Sequence, residues 1–97
     1  MPDMPTAPVK EPPRLLERIR LELRTRHYSW RTERAYTGWI KRYLVFNGMR
    51  HPTTPGASEV RAYLSHLATT RGVSASTQNQ AFSALLFLYR EILEQPL

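Results

Sequence analysis

The sequence predicts an all-α fold: a compact bundle of four helices behind a disordered N-terminal lead-in. Three observations carry this. Apolar residues recur with a period near 3.6 in four segments, at about residues 14–27, 29–47, 57–69 and 75–94. No segment of useful length alternates with the period of two that a half-buried strand requires. The connections between the periodic segments are short, as in helices that pack against their sequence neighbours.

Residues 1–13 carry Pro2, Pro5, Pro8, Pro12 and Pro13 and almost no large apolar side chain. Such a stretch buries too little surface to offset ordering, and it reads as the disordered lead-in. In the first helix Leu15, Leu16, Ile19 and Leu23 share a face and Leu21 lies off it. Glu22 and Arg26, four residues apart, pair locally on its surface. The second helix separates its faces cleanly at about 100° per residue. Tyr36, Trp39, Ile40, Tyr43 and Phe46 form an apolar and aromatic side, and Gly48 is placed as the left-handed residue that ends the helix. Arg31, Arg34, Lys41 and Arg42 form the opposite side, with the small residues Ala35 and Gly38 between them.

The run from His51 to Gly56, with two prolines and two threonines, is a turn. Val60, Tyr63, Leu64 and Leu67 make the core face of the third helix, which stops at Arg71-Gly72. The fourth helix turns Phe82, Leu85, Leu86, Tyr89, Ile92 and Leu93 inward. Its other face begins with Ser76, Asn79, Gln80 and Ser83 and then exposes Phe87, a candidate contact with another domain or subunit.

Ninety-seven residues make one domain at most. There is no cysteine, and therefore no disulfide or thiolate metal site. No run of eighteen uncharged apolar residues is present, which argues for a soluble protein that is not exported. His27, His51 and His66 lack metal-ligand spacing, and no carboxylate pair or Gly-rich phosphate loop appears. Nothing assembles a nucleophile, a base and an electrostatic clamp, so neither a cofactor nor catalysis is expected of this chain.

The formal charge of +6 is unevenly distributed. Lys10 to Arg50 hold eleven Lys and Arg against four Glu, whereas His51 to Leu97 hold three of each sign. A basic half rich in arginine fits a polyanion, above all phosphate, which arginine holds bidentately. Glu33 is the only acid on the second helix and lies away from its basic stripe, whereas a merely solvated face mixes signs. Two helices open alike, Ser29-Trp30-Arg31-Thr32 and Ser74-Ala75-Ser76-Thr77. Each serine suits an N-cap, and a capped helix start is also a place where phosphate binds. Gln80 and Asn79 carry amides that can pair with a base edge. A second class of function competes, a helical bundle that docks an acidic protein partner through Phe87 and its neighbours. Binding to an anionic membrane by the first helix is disfavoured by Glu17 and Glu22 and by its ordinary core-facing leucines.

The runs HYSWRTERAYTGWIKRYLVF, EVRAYLSHLA and ASTQNQAFSALLFLYREIL resemble the N-terminal core-binding domain of tyrosine recombinases, and most closely that of integron integrases. The likeness covers about residues 14–95. It implies a SAM-like four-helix domain forming one half of a clamp on DNA, with the second and fourth helices against the major groove. Arg31, Thr32 and Arg34 on one helix and Ser76, Thr77 and Gln80 on the other would then meet DNA. Lys41 and Arg42 extend that set by the stripe alone, not by the resemblance. The implied partners are recombination-site DNA, as duplex or folded single-stranded hairpin, the catalytic domain of the parent protein and sister subunits, in the bacterial cytoplasm and not at a membrane. The catalytic arginine, lysine, histidine and nucleophilic tyrosine of such a parent would lie downstream of Gln95-Pro96-Leu97. On this reading the chain is an excised N-terminal module, and none of its five tyrosines is the nucleophile.

Overall fold

A computed structural model describes residues 7–52 and 56–97, with side chains from Arg14 onward. It holds four helices in the predicted order: α1 (Ala7–Thr25), α2 (Trp30–Phe46), α3 (Ala57–Thr69) and α4 (Ala75–Phe87). One π-helical turn, Leu88–Ile92, prolongs α4. Among the described residues no strand is present. The middle of the expected turn, residues 53–55, and the first six residues of the expected lead-in lie outside the described residues.

The lead-in is not wholly irregular, because α1 begins at Ala7 rather than near residue 14. Pro8 falls in the first turn, where a missing N–H costs nothing. Pro12 and Pro13 fall in the second turn, and each removes an i→i−4 bond, to the carbonyls of Pro8 and Val9. The leucines and isoleucine that follow hold the helix: Leu15, Ile19 and Leu23 are fully buried.

All four helices end in the same way. A residue with positive φ is followed by one whose N–H returns to a carbonyl of the last turns: His27 then Tyr28 to Leu23, Gly48 then Met49 to Leu44, Gly72 then Val73 to Leu67, and Glu94 then Gln95 to Tyr89. These reversals are Schellman-type closures, which satisfy carbonyls the helix leaves open. They also explain why α1 stops at Thr25, two residues before its predicted end. His27 occupies the left-handed position (φ 63°) that glycine takes in α2 (Gly48, φ 78°).

The core is built from Leu15, Ile19 and Leu23 of α1, Ile40, Tyr43 and Leu44 of α2, Val60, Tyr63 and Leu67 of α3, and a seam on α4. On α2 the apolar face is rotated slightly from the expected one. Leu44 is buried, while Phe46 stays 40% exposed and Tyr36 and Trp39 are half-buried. On α4 Leu85, Tyr89 and Ile92 are buried as expected, but the first two turns are shifted by one residue from the expected face. The seam is Ala81, Ala84, Leu85 and Leu88, and Phe82 faces out. Two alanines carry little apolar weight in a periodicity count, yet their small size admits the neighbouring helices closely. The π turn, closed by Leu93 N–H to Leu88 O, adds a residue to the last turn and returns Tyr89 and Ile92 to the core.

Phe87 is therefore not an exposed contact. It is buried, with ring centroids of Tyr28 at 5.7 Å and Tyr36 at 5.8 Å and the Arg26 guanidinium 5.7 Å from its centroid. This cluster seals the junction of α1, α2 and α4, with Tyr28 contributed by the reversal between α1 and α2. Arg26 also bonds Glu22 at 2.8 Å and Glu91 at 2.6 Å, and Arg18 donates to the Ile92 carbonyl at 3.1 Å. These ties fasten α1 across the π turn.

At the centre, the hydroxyls of Tyr43 and Tyr89 share a 2.8 Å hydrogen bond. The ring of Tyr89 lies so close to Gly56 that any Cβ there would collide with it. Burial raises both phenols above their ordinary value of 10.0. Removing one hydroxyl strands the other away from water, so Tyr43→Phe and Tyr89→Phe are each expected to cost about 1–3 kcal/mol. The double variant should cost less than the sum, and urea unfolding of all four proteins measures the coupling. Folding favours the neutral phenols, so their contribution is complete below about pH 10 and is lost as the pH rises toward the folded values.

Candidate nucleic-acid interface

The site starts from a charge that the fold removes. Glu33 is 8% exposed, and its two carboxylate oxygens accept from Arg24 Nε and a terminal nitrogen of Arg24, each at 3.0 Å. This bidentate pair joins α1 to α2. Arg24 holds the Glu33 carboxyl below the ordinary value of 4.5, with burial acting in the opposite sense. The only acid on α2 is thereby neutralised on the core side. Arg31, Arg34, Lys41 and Arg42 stay exposed on the outer side, in no ion pair with a described residue.

Both serine caps form, and they match in detail. Ser29 Oγ accepts from Thr32 N–H at 3.2 Å and donates to Thr32 Oγ1 at 3.1 Å. Ser74 and Thr77 repeat the pair with the same two distances. The caps leave the N–H groups of Trp30 and Arg31, and of Ala75 and Ser76, without an acceptor inside their helices. Each helix thus begins with a fixed hydroxyl pair beside two outward donors.

The expected residues divide into groups. Arg31 and Thr32 of α2 and Gln80 of α4 come together, lining one groove of about 370 Å³ with Ala35, Trp39 and Ser83. Ser76 and Thr77 sit at the start of α4, about one turn before Gln80. Arg34, next to Arg31 on the stripe, does not line this groove, and its guanidinium lies 5.4 Å from the ring centroid of Trp30. Lys41 and Arg42 belong to a second groove, of about 630 Å³, between α2 and α3. Burial keeps the Tyr63 phenol in that groove above its ordinary value, and the charges of Arg42 and Arg71, which line the same groove, oppose the shift.

Three residues of this surface were not anticipated. Trp39, expected in the core, forms part of the wall of both grooves, with the Arg42 guanidinium 4.9 Å from its centroid. Its position three residues before Arg42, at the edge of the basic stripe, was the available sign. Trp30 is 63% exposed at the first position of α2. Arg71 follows α3, outside any helical periodicity, and joins the second groove only through the fold. No described helix is long and apolar enough to cross a membrane.

Residues 15–97 match the family model described as phage integrase, N-terminal SAM-like domain. Over 94 residues the chain is 48% identical to a protein of Escherichia coli named integrase/recombinase, and equally to one of that name in Pseudomonas aeruginosa. Each alignment covers 93% of this chain and 28% of the relative, so the chain spans a little over a quarter of the length of these proteins.

The Arg24–Glu33 pair has a signature in acid. Folding lowers the carboxyl's pKa, so its contribution to stability is complete above about pH 4.5 and drains away as the pH falls below it. Glu33→Gln should lower the melting temperature at pH 7, and the gap from the parent protein should narrow below pH 4.5. Circular-dichroism melts at a series of pH values give both quantities.

Proposed function

Because the chain belongs to the family of phage integrase N-terminal SAM-like domains, we propose that it is the DNA-binding module of a site-specific tyrosine recombinase, most like an integron integrase. The observation that carries this reading is the first half of α2, a cationic face with no exposed acid that shares a groove with an amide of α4. Arg31 and Arg34 neutralise phosphates along the outer face of α2. The capped starts of α2 and α4, at Thr32 and at Ser76-Thr77, offer N–H and hydroxyl donors to further phosphate oxygens. Gln80, one turn into α4, presents the group suited to a base edge. Lys41 and Arg42, further along α2, add to the attractive field.

In this reading the module is one half of a clamp on recombination-site DNA, duplex or folded hairpin. The other half is the catalytic domain of a longer protein, and sister subunits assemble on the same site. Strand cleavage through a phosphotyrosine belongs to that catalytic domain. The tyrosines here support that division of labour. Tyr43, Tyr63 and Tyr89 are buried, and Tyr28 and Tyr36 pack in the Phe87 cluster.

Titration of duplex and hairpin DNA at several salt concentrations tests the proposal. The logarithm of the affinity should fall against that of salt with a slope of about −0.9 per duplex phosphate neutralised. Replacing Arg31 and Arg34 together by Ala should flatten that slope by about two and weaken binding across all sequences, with the helical spectrum intact. Gln80→Ala should instead change the ranking of sequences by about tenfold or more at one base position, from about 1–3 kcal/mol of lost discrimination. An absence of binding at low salt overturns the reading for this chain alone.

A further inference from the structure

The second groove has a different chemistry from the first. Its floor includes Leu67 and Tyr63, and its α2 wall ends in Val45 and Phe46, which are 56% and 40% exposed. Cations stand on both sides, Lys41 and Arg42 on α2 and Arg71 beyond α3. None of the described residues that line it is acidic, and none of these three cations is in an ion pair with a described residue. Exposed apolar surface with a charged rim is the pattern of a protein-docking surface.

We propose that the α2–α3 groove docks an acidic amphipathic helix of a protein partner, with apolar side chains over Val45, Phe46 and Leu67 and carboxylates against Lys41, Arg42 and Arg71. The groove lies between two helices, which is the geometry that receives the apolar face of a third. Charge complementarity selects an acidic partner, and it disfavours a second copy of a chain that itself carries +6. A nucleic acid fits less well. The face of Trp39 is already covered by Arg42, and the ring of Phe46 is flanked by Tyr63 at 5.2 Å and His66 at 5.0 Å, so little aromatic surface remains for stacking a base. Covering the aliphatic Val45 gains nothing for a phosphodiester backbone. A flat lipid surface does not fill a concave groove. On this proposal the second half of α2 serves twice, its cations adding to the field that attracts DNA and its groove with α3 seating an acidic helix.

The test uses a synthetic peptide of about eighteen residues, with Leu at i, i+3, i+4 and i+7 spacing, Glu flanking the leucines and Ala elsewhere. A scrambled peptide of the same composition is the control. Binding is followed by backbone amide shifts of the isotope-labelled protein. The amphipathic peptide should bind at least about tenfold more tightly than the scrambled one, about 1.4 kcal/mol, and should shift residues 41–46 and 66–73. Val45→Asn, an uncharged change at an exposed position, should weaken it by about fivefold and leave duplex affinity within about twofold. Arg71→Ala should act in the same direction. Equal binding of the two peptides overturns the proposal, as do shifts centred on residues 31–35 and Gln80. Displacement of the peptide by duplex DNA, together with weakened DNA binding by Val45→Asn, assigns the groove to nucleic acid instead. Failure of DNA binding with normal peptide binding counts against the recombinase-module reading and not against this one.

Discussion

The bidentate contact between Arg24 and Glu33 sets how α2 can be used. A carboxylate turned toward the core is tolerated only with a partner that satisfies both oxygens, and Arg24 supplies that partner from the last turn of α1. The contact ties α1 to α2 beside the tight reversal at His27 and Tyr28. It also decides the electrostatics of the outer face, because the only negative charge on the helix is held on the inner one. A lysine or glutamine at position 33 would leave the arginines outside unchanged but would lose the tie that orients their helix.

Around that contact, α2 works as a wall with two sides. Its inner side, with Ile40, Tyr43 and Leu44, is as dry as any part of the molecule. Its outer side changes character along its length, from arginines beside a helix start to cations beside exposed Val45 and Phe46. Trp39 stands at the change, with a different groove on each side of it. The aromatic cluster of Tyr28, Tyr36 and Phe87 and the hydroxyl pair of Tyr43 and Tyr89 then lock α4 against this wall.

Much of the architecture was legible because it rests on regular spacing and local chemistry. The bounds of α3 and the serine caps of α2 and α4 follow from patterns within a few residues, and the structure reproduces them. The exposure of Arg31, Arg34, Lys41 and Arg42 follows from helical phase alone. What escaped depends on contacts between distant residues or on departures from the α-helical period. Small side chains at Ala81 and Ala84 hid the seam of α4, the π turn altered its phase, and Phe87 was placed outside in consequence. Arg24 and Glu33 are nine residues apart across a reversal, a separation that no helical rule links. The grouping of Arg31 and Thr32 with Gln80, and of Arg42 with Arg71, arises only when separate helices are packed.

The shared manner in which the helices end bears on how the chain reaches this structure. Each of these reversals closes through a hydrogen bond spanning five or six residues, a local contact that needs no distant segment. Only the packing of α1 on the π turn and of α2 on α4 then joins distant parts of the chain. As part of a longer polypeptide, such a unit would acquire its shape early in synthesis, while segments downstream of it are still being made.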